Sequence, residues 1–323
     1  MGLQNLFAGV RITAQCILIA VAVAACGQSS TVASGPPPAG KLIAKIHQAT
    51  VRDVTAGFDS IWVSNGPSGT VTRIDPATNH VVATITPDDP PSVLAVATDA
   101  IWVTSFAGKS VIRIDPVTNR VVGTVVPGGG GPVGIAVFDG YIWVANHDGS
   151  PTGSVAKIDP AKMQVVDLIY VGSAPDSGPT WIAVGAGSLW VGIPNINAVV
   201  RIDPIKDSIL ATIPDPGVCG EIVASDHDIW VAGGCGPGVT HIDPATNTVT
   251  DVRNADGYSP ALAIGEGSVW YGNTTTLDRI NTTTRKVVAQ LKLPGPSFGA
   301  TVAFGYVWVT DMRDELLFKI KPA

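Results

Sequence analysis

The sequence has little charge and no surplus of basic residues. Only 14% of its 323 residues are charged, and 20 Lys and Arg residues stand against 26 Asp and Glu residues. A chain of this balance lacks the basic surface that nucleic-acid binding requires, so we expect no nucleic-acid partner. Wholesale disorder is excluded as well, because 46% of the residues are hydrophobic and can offset the entropy lost on folding.

Common catalytic motifs are also missing. The sequence contains no G-x-S-x-G and no H-E-x-x-H, and its glycine run P-G-G-G-G-P at residues 127–132 lacks the Lys and the helix of a phosphate loop. A nucleophile-elbow hydrolase, a zinc protease of this motif and a P-loop nucleotidase are therefore excluded. What the chain has instead is 36 Gly and 25 Pro, which favour short strands over long helices.

The first 26 residues have the pattern of an export signal. A short apolar stretch follows Arg11 and ends at Cys26, and it is too short to span a bilayer comfortably. The sequence V-A-A-C before and at Cys26 resembles a bacterial lipoprotein box, whose cysteine is lipidated; an ordinary secretory signal is the alternative. We predict a signal peptide over residues 1–25, a lipidated Cys26 with a flexible tether over 26–40, and a folded domain over 41–323.

A repeat of about 40 residues fills the predicted domain. Seven tryptophans recur at spacings of 40, 41, 47, 40, 40 and 38 residues: Trp62, Trp102, Trp143, Trp190, Trp230, Trp270 and Trp308. A second landmark follows most of them, such as R-I-D-P-A-T-N at 73–79 and R-I-D-P-V-T-N at 113–119. This period is that of a propeller blade.

Each repeat divides into four short, β-branched strands, which predicts an all-β, seven-bladed β-propeller with four-stranded blades. The last repeat has only three strands, whereas K-L-I-A-K-I at 41–46 matches the outer strand H-V-V-A-T-I at 80–85. We therefore expect the N-terminal strand 41–46 to complete the C-terminal blade and close the ring, which hides sheet edges.

These repeats resemble the YVTN-type β-propeller family and, more loosely, the virginiamycin B lyase-like propellers. The resemblance implies a ligand face at the mouth of the central channel. The lyase-like propellers are understood to use a histidine and acidic residues with magnesium, but no histidine begins an inner strand here. The D-P-x-T-N segment is turn chemistry repeated in several blades, so we interpret it as structural.

Candidate site residues lie where one blade departs from the others. The position nine residues before each Trp marks the mouth end of the inner strand, and it holds Asp53, Val93, Gly134, Trp181, Glu221 and Ala261 in the first six blades. Asp53 and Glu221 are candidate ligands for Mg²⁺ or Ca²⁺ or a candidate acid and base, and Trp181 could stack on a flat ligand. The alternative is that Arg52 neutralises Asp53, Glu221 is solvated and Trp181 fills a gap.

The hairpins after the Trp strands add polar side chains at the same end. They supply the candidate ligand-binding residues Asn146, His147, Asp148, Asn273, Asp311 and Arg313, and Asn65 occupies the equivalent position in the first blade. His147 and Asp148 are the best pair for proton transfer, because His titrates near neutral pH. Asn and Asp are also ordinary turn residues, so a structural role is the alternative.

Two cysteines remain in the mature chain after Cys16 and Cys26 are set aside. Cys219 and Cys235 both fall at the mouth end of the fifth blade, and we expect them to form a disulfide in an oxidising compartment.

Two functions are open on the sequence. The first is a monomeric, lipid-anchored binding module of the cell envelope, which recognises an envelope protein or a small molecule through its mouth face. The alternative is a metal-dependent lyase or lactone hydrolase, with Glu221, Asp53 and His147 as candidate catalytic residues.

Overall fold

The structure is a computed structural model that describes residues 36–128, 130–147, 153–172, 178–233, 238–253 and 260–323. The described residues form β-strands, turns and one 3₁₀ segment at Pro194–Ile196, and no α-helix. The predicted all-β class is confirmed. In this part of the chain, no helix has the length and apolar character needed to cross a bilayer. The predicted signal peptide and Cys26 lie outside the described residues.

The strands group into seven sheets of four. In chain order they are Gly40–His47 (β1); Val51–Gly57, Ser60–Asn65, Thr70–Ile74 and Val81–Ile85 (β2–β5); Leu94–Val96, Ile101–Ser105, Ser110–Asp115 and Arg120–Val125 (β6–β9); Pro132–Phe138, Tyr141–Asn146, Ser154–Asp159 and Gln164–Tyr170 (β10–β13). The remainder are Ile182–Gly185, Ser188–Ile193, Ala198–Asp203 and Ser208–Pro214 (β14–β17); Val218–Ala224, Ile229–Gly233, Val239–Asp243 and Thr248–Arg253 (β18–β21); Leu262–Gly265, Ser268–Gly272, Thr276–Asn281 and Lys286–Lys292 (β22–β25); Ser297–Ala303, Tyr306–Asp311 and Leu316–Pro322 (β26–β28).

Each sheet is one antiparallel blade whose strands run from the inside to the outside in chain order. Blades one to six take β2–β5, β6–β9, β10–β13, β14–β17, β18–β21 and β22–β25. The seventh blade has the order β26-β27-β28-β1, because Gly40–His47 pairs with Leu316–Pro322. The seven-bladed propeller and its closure by the N-terminal strand are confirmed, and all seven blades lie within residues 36–323.

The repeated tryptophans form the centre of each blade. All seven are fully buried, and each is paired across the strands with a side chain of the third strand, as in Trp62 with Arg73 and Trp230 with His241. The guanidinium carbon of Arg73 lies 5.2 Å from the Trp62 ring, and the rings of His241 and Trp230 are 4.9 Å apart. Contact between a Trp ring and a cation explains why Trp recurs with Arg or Lys, and in the fifth blade His241 takes the place of the cation.

The R-I-D-P-A-T-N segment joins neighbouring blades. Nη1 of Arg73 donates to the carbonyl of Pro116 at 2.6 Å and to Oδ1 of Asn119 at 3.1 Å, in the turn of the next blade. Within its own turn, Oδ1 of Asp75 accepts the backbone N–H of Ala77 at 2.7 Å. Asn119 has a φ of 55°, a left-handed conformation that Asn tolerates. The motif therefore has a structural role.

The outer strands of six blades carry a β-bulge at the same place, and the register shift of the fifth blade lies elsewhere, between Val239 and Thr240. In those six blades the strand register shifts by one residue, and the extra residues are Ile43, Val82, Val122, Val166, Leu210 and Val288. All six side chains are exposed. A bulge interrupts the row of backbone groups on an edge strand, so it protects the rim of the propeller from pairing with another chain.

Candidate functional site

The inner strands surround a cavity of about 240 Å³ on the axis of the propeller. Five of the six predicted mouth positions line it, namely Asp53, Val93, Gly134, Trp181 and Glu221. The sixth, Ala261, is fully buried beside the lining residue Leu262. The position nine residues before each Trp therefore lies at or beside this cavity in the first six blades, because the first two strands of every blade keep the same pairing.

Hydrogen bonds between blades hold these mouth positions in place. The backbone N–H of Asp53 donates to Oγ of Ser64 at 3.0 Å, and that hydroxyl donates to the carbonyl of Ser92 in the next blade. Thr104 and Thr310 make the same bridge from the second and seventh blades. The hydroxyl residue is always two positions after the Trp, so this bridge has a visible sequence signal.

Asp53 projects from the first blade toward the second. Its Oδ2 accepts the backbone N–H of Leu94 at 2.8 Å, and the side chain is 4% exposed. Burial raises the pKa of Asp53 to about 6, although the N–H groups of Leu94 and Val54 and the charge of Arg52 act in the opposite direction. Gly299 makes room for this carboxyl, since a Cβ there would lie 2.5 Å from Oδ1.

Glu221 makes the equivalent contact in the fifth blade. Its Oε2 accepts the backbone N–H of Leu262 at 2.9 Å, at the position of the sixth blade that corresponds to Leu94 in the second. Burial, followed by the negative charge of Asp53, raises the pKa of Glu221 well above its ordinary value. The two carboxyl groups are therefore electrostatically coupled across the channel, and each holds its proton at a higher pH than a solvated acid.

Aromatic side chains pack beside the two acids. The ring centroids of Trp181 and Phe298 are 5.8 Å apart with an interplanar angle of 50°, although the residues belong to the fourth and seventh blades. The guanidinium carbon of Arg52 lies 4.7 Å from the Phe298 ring. The sequence analysis missed Phe298, because it lies ten residues before Trp308 rather than nine. Its aromatic side chain, one residue before the mouth position, was the feature that could have identified it.

The polar hairpin residues form hydrogen bonds within the fold, either in their own hairpin or to an adjacent link. Nδ2 of Asn146 donates to the carbonyl of Pro127 at 3.1 Å, Oδ1 of Asn273 accepts the N–H of Thr276 at 2.9 Å, and Oδ1 of Asp311 accepts the N–H of Arg313 at 2.9 Å. Asn65, Asn146, Asn273 and Asp311 are buried, whereas the Arg313 side chain is exposed. Of the described residues that line the channel cavity, none is one of these.

His147 also lies apart from the channel cavity. Its ring is 6.2 Å from the ring of Phe106, and a Cβ added to Gly178 would lie 2.6 Å from its Nε2. Its predicted partner Asp148 lies outside the described residues, so the proton-transfer pair stays a prediction. The same holds for the disulfide, because Cys219 lies in β18 but Cys235 is outside the described residues.

The candidate metal site at Asp53 and Glu221 stays a prediction. The described residues contain no group of three or more His, Cys, Asp or Glu side chains placed to hold an ion. Asp53 and Glu221 are two carboxylates, and a calcium ion takes six to eight oxygen ligands. A Mg²⁺ or Ca²⁺ ion here would need most of its ligands from water, backbone carbonyls or a bound substrate.

Comparisons with known proteins support the fold. No family model and no curated protein matches the sequence. Among solved structures, hydrazine synthase of Kuenenia stuttgartiensis is similar with a TM-score of 0.75 and 15% identity, over 92% of this chain and 99% of that one. A streptogramin B lyase structure is similar with a TM-score of 0.73 and 17% identity, over 87% of this chain and 97% of that one. At these identities the likeness establishes a shared propeller fold, and membership of the YVTN-type family stays a prediction.

Proposed function

We propose that this protein is a binding module of the cell envelope whose ligand enters the mouth of the central channel. The observation that carries the proposal is the coupled pair of carboxyl groups, Asp53 and Glu221, at one cavity. Placing a buried and a half-buried acid on one cavity costs folding free energy. A structural core has no need of that cost, whereas a binding site recovers it when a complementary ligand is bound.

The cavity favours a small ligand with a positive charge. Its volume of about 240 Å³ is below the range of drug-sized pockets, so a fragment such as an amine fits and a large molecule does not. An ammonium group would supply a countercharge to Glu221 and add to the positive charge that Arg52 already places near Asp53. The Trp181 and Phe298 rings supply an aromatic surface next to it, which favours a cationic head group.

A thermal-shift series with ethylamine, choline and putrescine tests this function. We expect a bound amine at about 100 times its Kd to raise the Tm of the wild-type propeller by roughly 5 to 10 °C. Glu221→Gln should abolish the shift, because it removes one of the two charges. Glu266→Gln is the matched control, since Glu266 is exposed in the β22–β23 hairpin and should leave the shift intact.

Two results would reject the proposal: no amine raises the Tm, or the shift is equal in both variants.

The envelope location is tested separately, by mass spectrometry of the mature chain from cells. A diacylglyceryl-modified Cys26 at the N-terminus supports the lipid anchor, and an unmodified or uncleaved chain contradicts it.

A lyase or lactone hydrolase is the second candidate, and the raised pKa of Glu221 favours it because an acid that holds its proton near neutral pH can serve as a general acid. The test is ring opening of a streptogramin B depsipeptide with Mg²⁺ or Ca²⁺, followed by mass spectrometry. Activity that disappears in Glu221→Gln and persists in Glu266→Gln supports the enzyme. Absence of ring opening with either ion removes it.

A further inference from the structure

The acidic residues are unevenly distributed along the chain. None of the 26 Asp and Glu residues lies within residues 1–52 or within residues 279–310. The second of these segments contains Arg279, Arg285, Lys286 and Lys292. The segment 36–323 as a whole lacks Arg11 and so has a net charge of −7, one unit below the −6 of the full chain. Two acid-free segments in an acidic protein call for a structural explanation.

The fold brings these two segments together at one place on the rim. The outer strand of blade six is β25, and the outer strand of blade seven is β1. The residues before β1 pair with β25, because the N–H of Ala39 donates to the carbonyl of Gln290 at 3.0 Å and the N–H of Gln290 donates to the carbonyl of Pro37 at 2.9 Å. We call the surface formed by β1 and β25 the basic edge.

Four lysines are exposed on the basic edge: Lys41 and Lys45 on β1, and Lys286 and Lys292 on β25. The outer strands of the other five blades contain no lysine. No acidic residue occurs on β1 or β25, so the lysine charges are not neutralised within these strands. Of the other outer strands, β9 has a single basic residue, Arg120, and no acid, and none of the rest has an excess of basic residues. The concentration of positive charge is therefore a feature of this edge and not a general property of the rim.

Exposed apolar side chains accompany the lysines. Leu42, Ile43 and Val288 are 36%, 46% and 41% exposed. A cavity of about 300 Å³ lies between the two strands, with Leu291, Leu293 and Phe318 among its lining and Lys45 and Lys292 on it as well. Cationic groups around an apolar groove are complementary to a surface that combines anionic head groups with hydrocarbon.

We infer that the basic edge docks on an anionic phospholipid bilayer. Charge complementarity is one argument, and the path of the chain is the other. The chain reaches the propeller at this edge, since Pro37 and Ala39 pair with β25. Nine residues lie between Cys26 and Pro36, so a lipid on Cys26 would hold this edge within roughly 35 Å of the membrane. A basic patch adds electrostatic attraction to anionic head groups on the surface that the anchor faces.

Vesicle sedimentation of the propeller segment 36–323 tests this docking without the anchor. The segment contains all seven blades and needs no lipid. We expect it to bind phosphatidylcholine vesicles that contain 30% phosphatidylglycerol, and to dissociate at 0.5 M NaCl. The double variant Lys45→Glu and Lys292→Glu should lower the partition coefficient at least tenfold, because each lysine near an anionic surface contributes about fivefold.

The matched control is the double variant Lys162→Glu and Lys206→Glu, which changes the net charge equally on the turns of blades three and four. It should bind as the wild type does. Equal binding to pure phosphatidylcholine, or an equal loss in the control variant, would overturn the assignment. The experiment leaves Asp53 and Glu221 untouched, so its failure does not bear on the channel site.

Discussion

At the scale of single residues, the partner of each third-strand side chain is set by the turn of the next blade. Where that turn has Asn or Asp, the third-strand side chain of the preceding blade donates a hydrogen bond to it. Nη1 of Arg201 in blade four, for example, donates to Oδ1 of Asn247 in blade five at 3.1 Å. Where Arg285 stands instead, His241 turns back to Asp228 of its own blade at 2.6 Å. The motif is visible in the sequence, but this correspondence is not, because the partners are more than 40 residues apart.

Restoring the common arrangement between blades five and six should stabilise the protein. We expect Arg285→Asn to relieve a residue with a φ of 56°, and His241→Arg together with Arg285→Asn to add a coupling of about 1 kcal/mol beyond the two single variants. Urea unfolding of the wild type, both single variants and the double variant measures that coupling. If the free-energy changes of the two single variants add up to that of the double variant, then the introduced arginine and asparagine form no hydrogen bond between the blades.

The pKa of Asp53 predicts a pH-dependent effect of its replacement. Since the folded-state pKa is about 6 and the ordinary value is 3.8, the folded protein binds an extra proton between these values. The free energy of unfolding therefore falls as the pH rises through this interval, by roughly 3 kcal/mol. Asp53→Asn should be more stable than the wild type at pH 8 and equally stable at pH 3.5.

Urea unfolding at the two pH values measures this difference. Asp226→Asn, on an exposed turn of blade five, is the matched control and should show no gain at pH 8. If Asp53→Asn and the control behave alike, then ionisation of Asp53 carries no folding cost, and the main support for a binding site at the channel is lost.

At the scale of elements, periodicity predicted the strands well and their irregularities poorly. The pattern of Trp62 and its six equivalents placed every blade, and the match of residues 41–46 with other outer strands identified the closing strand. The outer-strand bulges were not predicted, because Val81 and Val82 give the same apolar pattern with or without an inserted residue. Register is decided by hydrogen bonds to the neighbouring strand, which the sequence does not display.

Removal of the closing strand should damage the whole ring. A chain that begins at Gln48 lacks β1, so the edge of β28 loses its hydrogen-bonded partner over Gly40–His47 and the side chain of Phe318 loses cover. We expect a fall in Tm of more than 10 °C and a tendency to aggregate through the exposed edge. A chain that begins at Pro36 is the control and should be monomeric and fully stable. Unchanged melting of the shorter chain would contradict the role of β1 in closure.

At the scale of the whole molecule, symmetry is both the source of the successful predictions and their limit. Every blade repeats the same frame, so counting from each Trp brought Asp53, Trp181 and Glu221 to one cavity. Counting could not show that Asn146, Asn273 and Asp311 form hydrogen bonds within their own hairpins, because the same polar residues serve turns and ligands alike. Phe298 was missed for a related reason: its contact with Trp181 crosses the ring, and no sequence period relates the two blades.

The predicted disulfide between Cys219 and Cys235 bears on the cellular compartment of the protein. Cys219 and Cys235 are the two cysteines of the predicted mature chain apart from Cys26, and an exported protein would hold them oxidised. Closing a loop of this size stabilises the folded state by about 3 kcal/mol in the entropic model.

We therefore expect the segment 36–323, exported to an oxidising compartment, to show no free thiol on denaturation and to lose roughly 5 to 10 °C of Tm on reduction. Cys219→Ser with Cys235→Ser should melt like the reduced protein and be insensitive to reductant. Two reactive thiols in the exported protein would contradict the pairing, and the case for an oxidising location would then rest on the signal sequence alone.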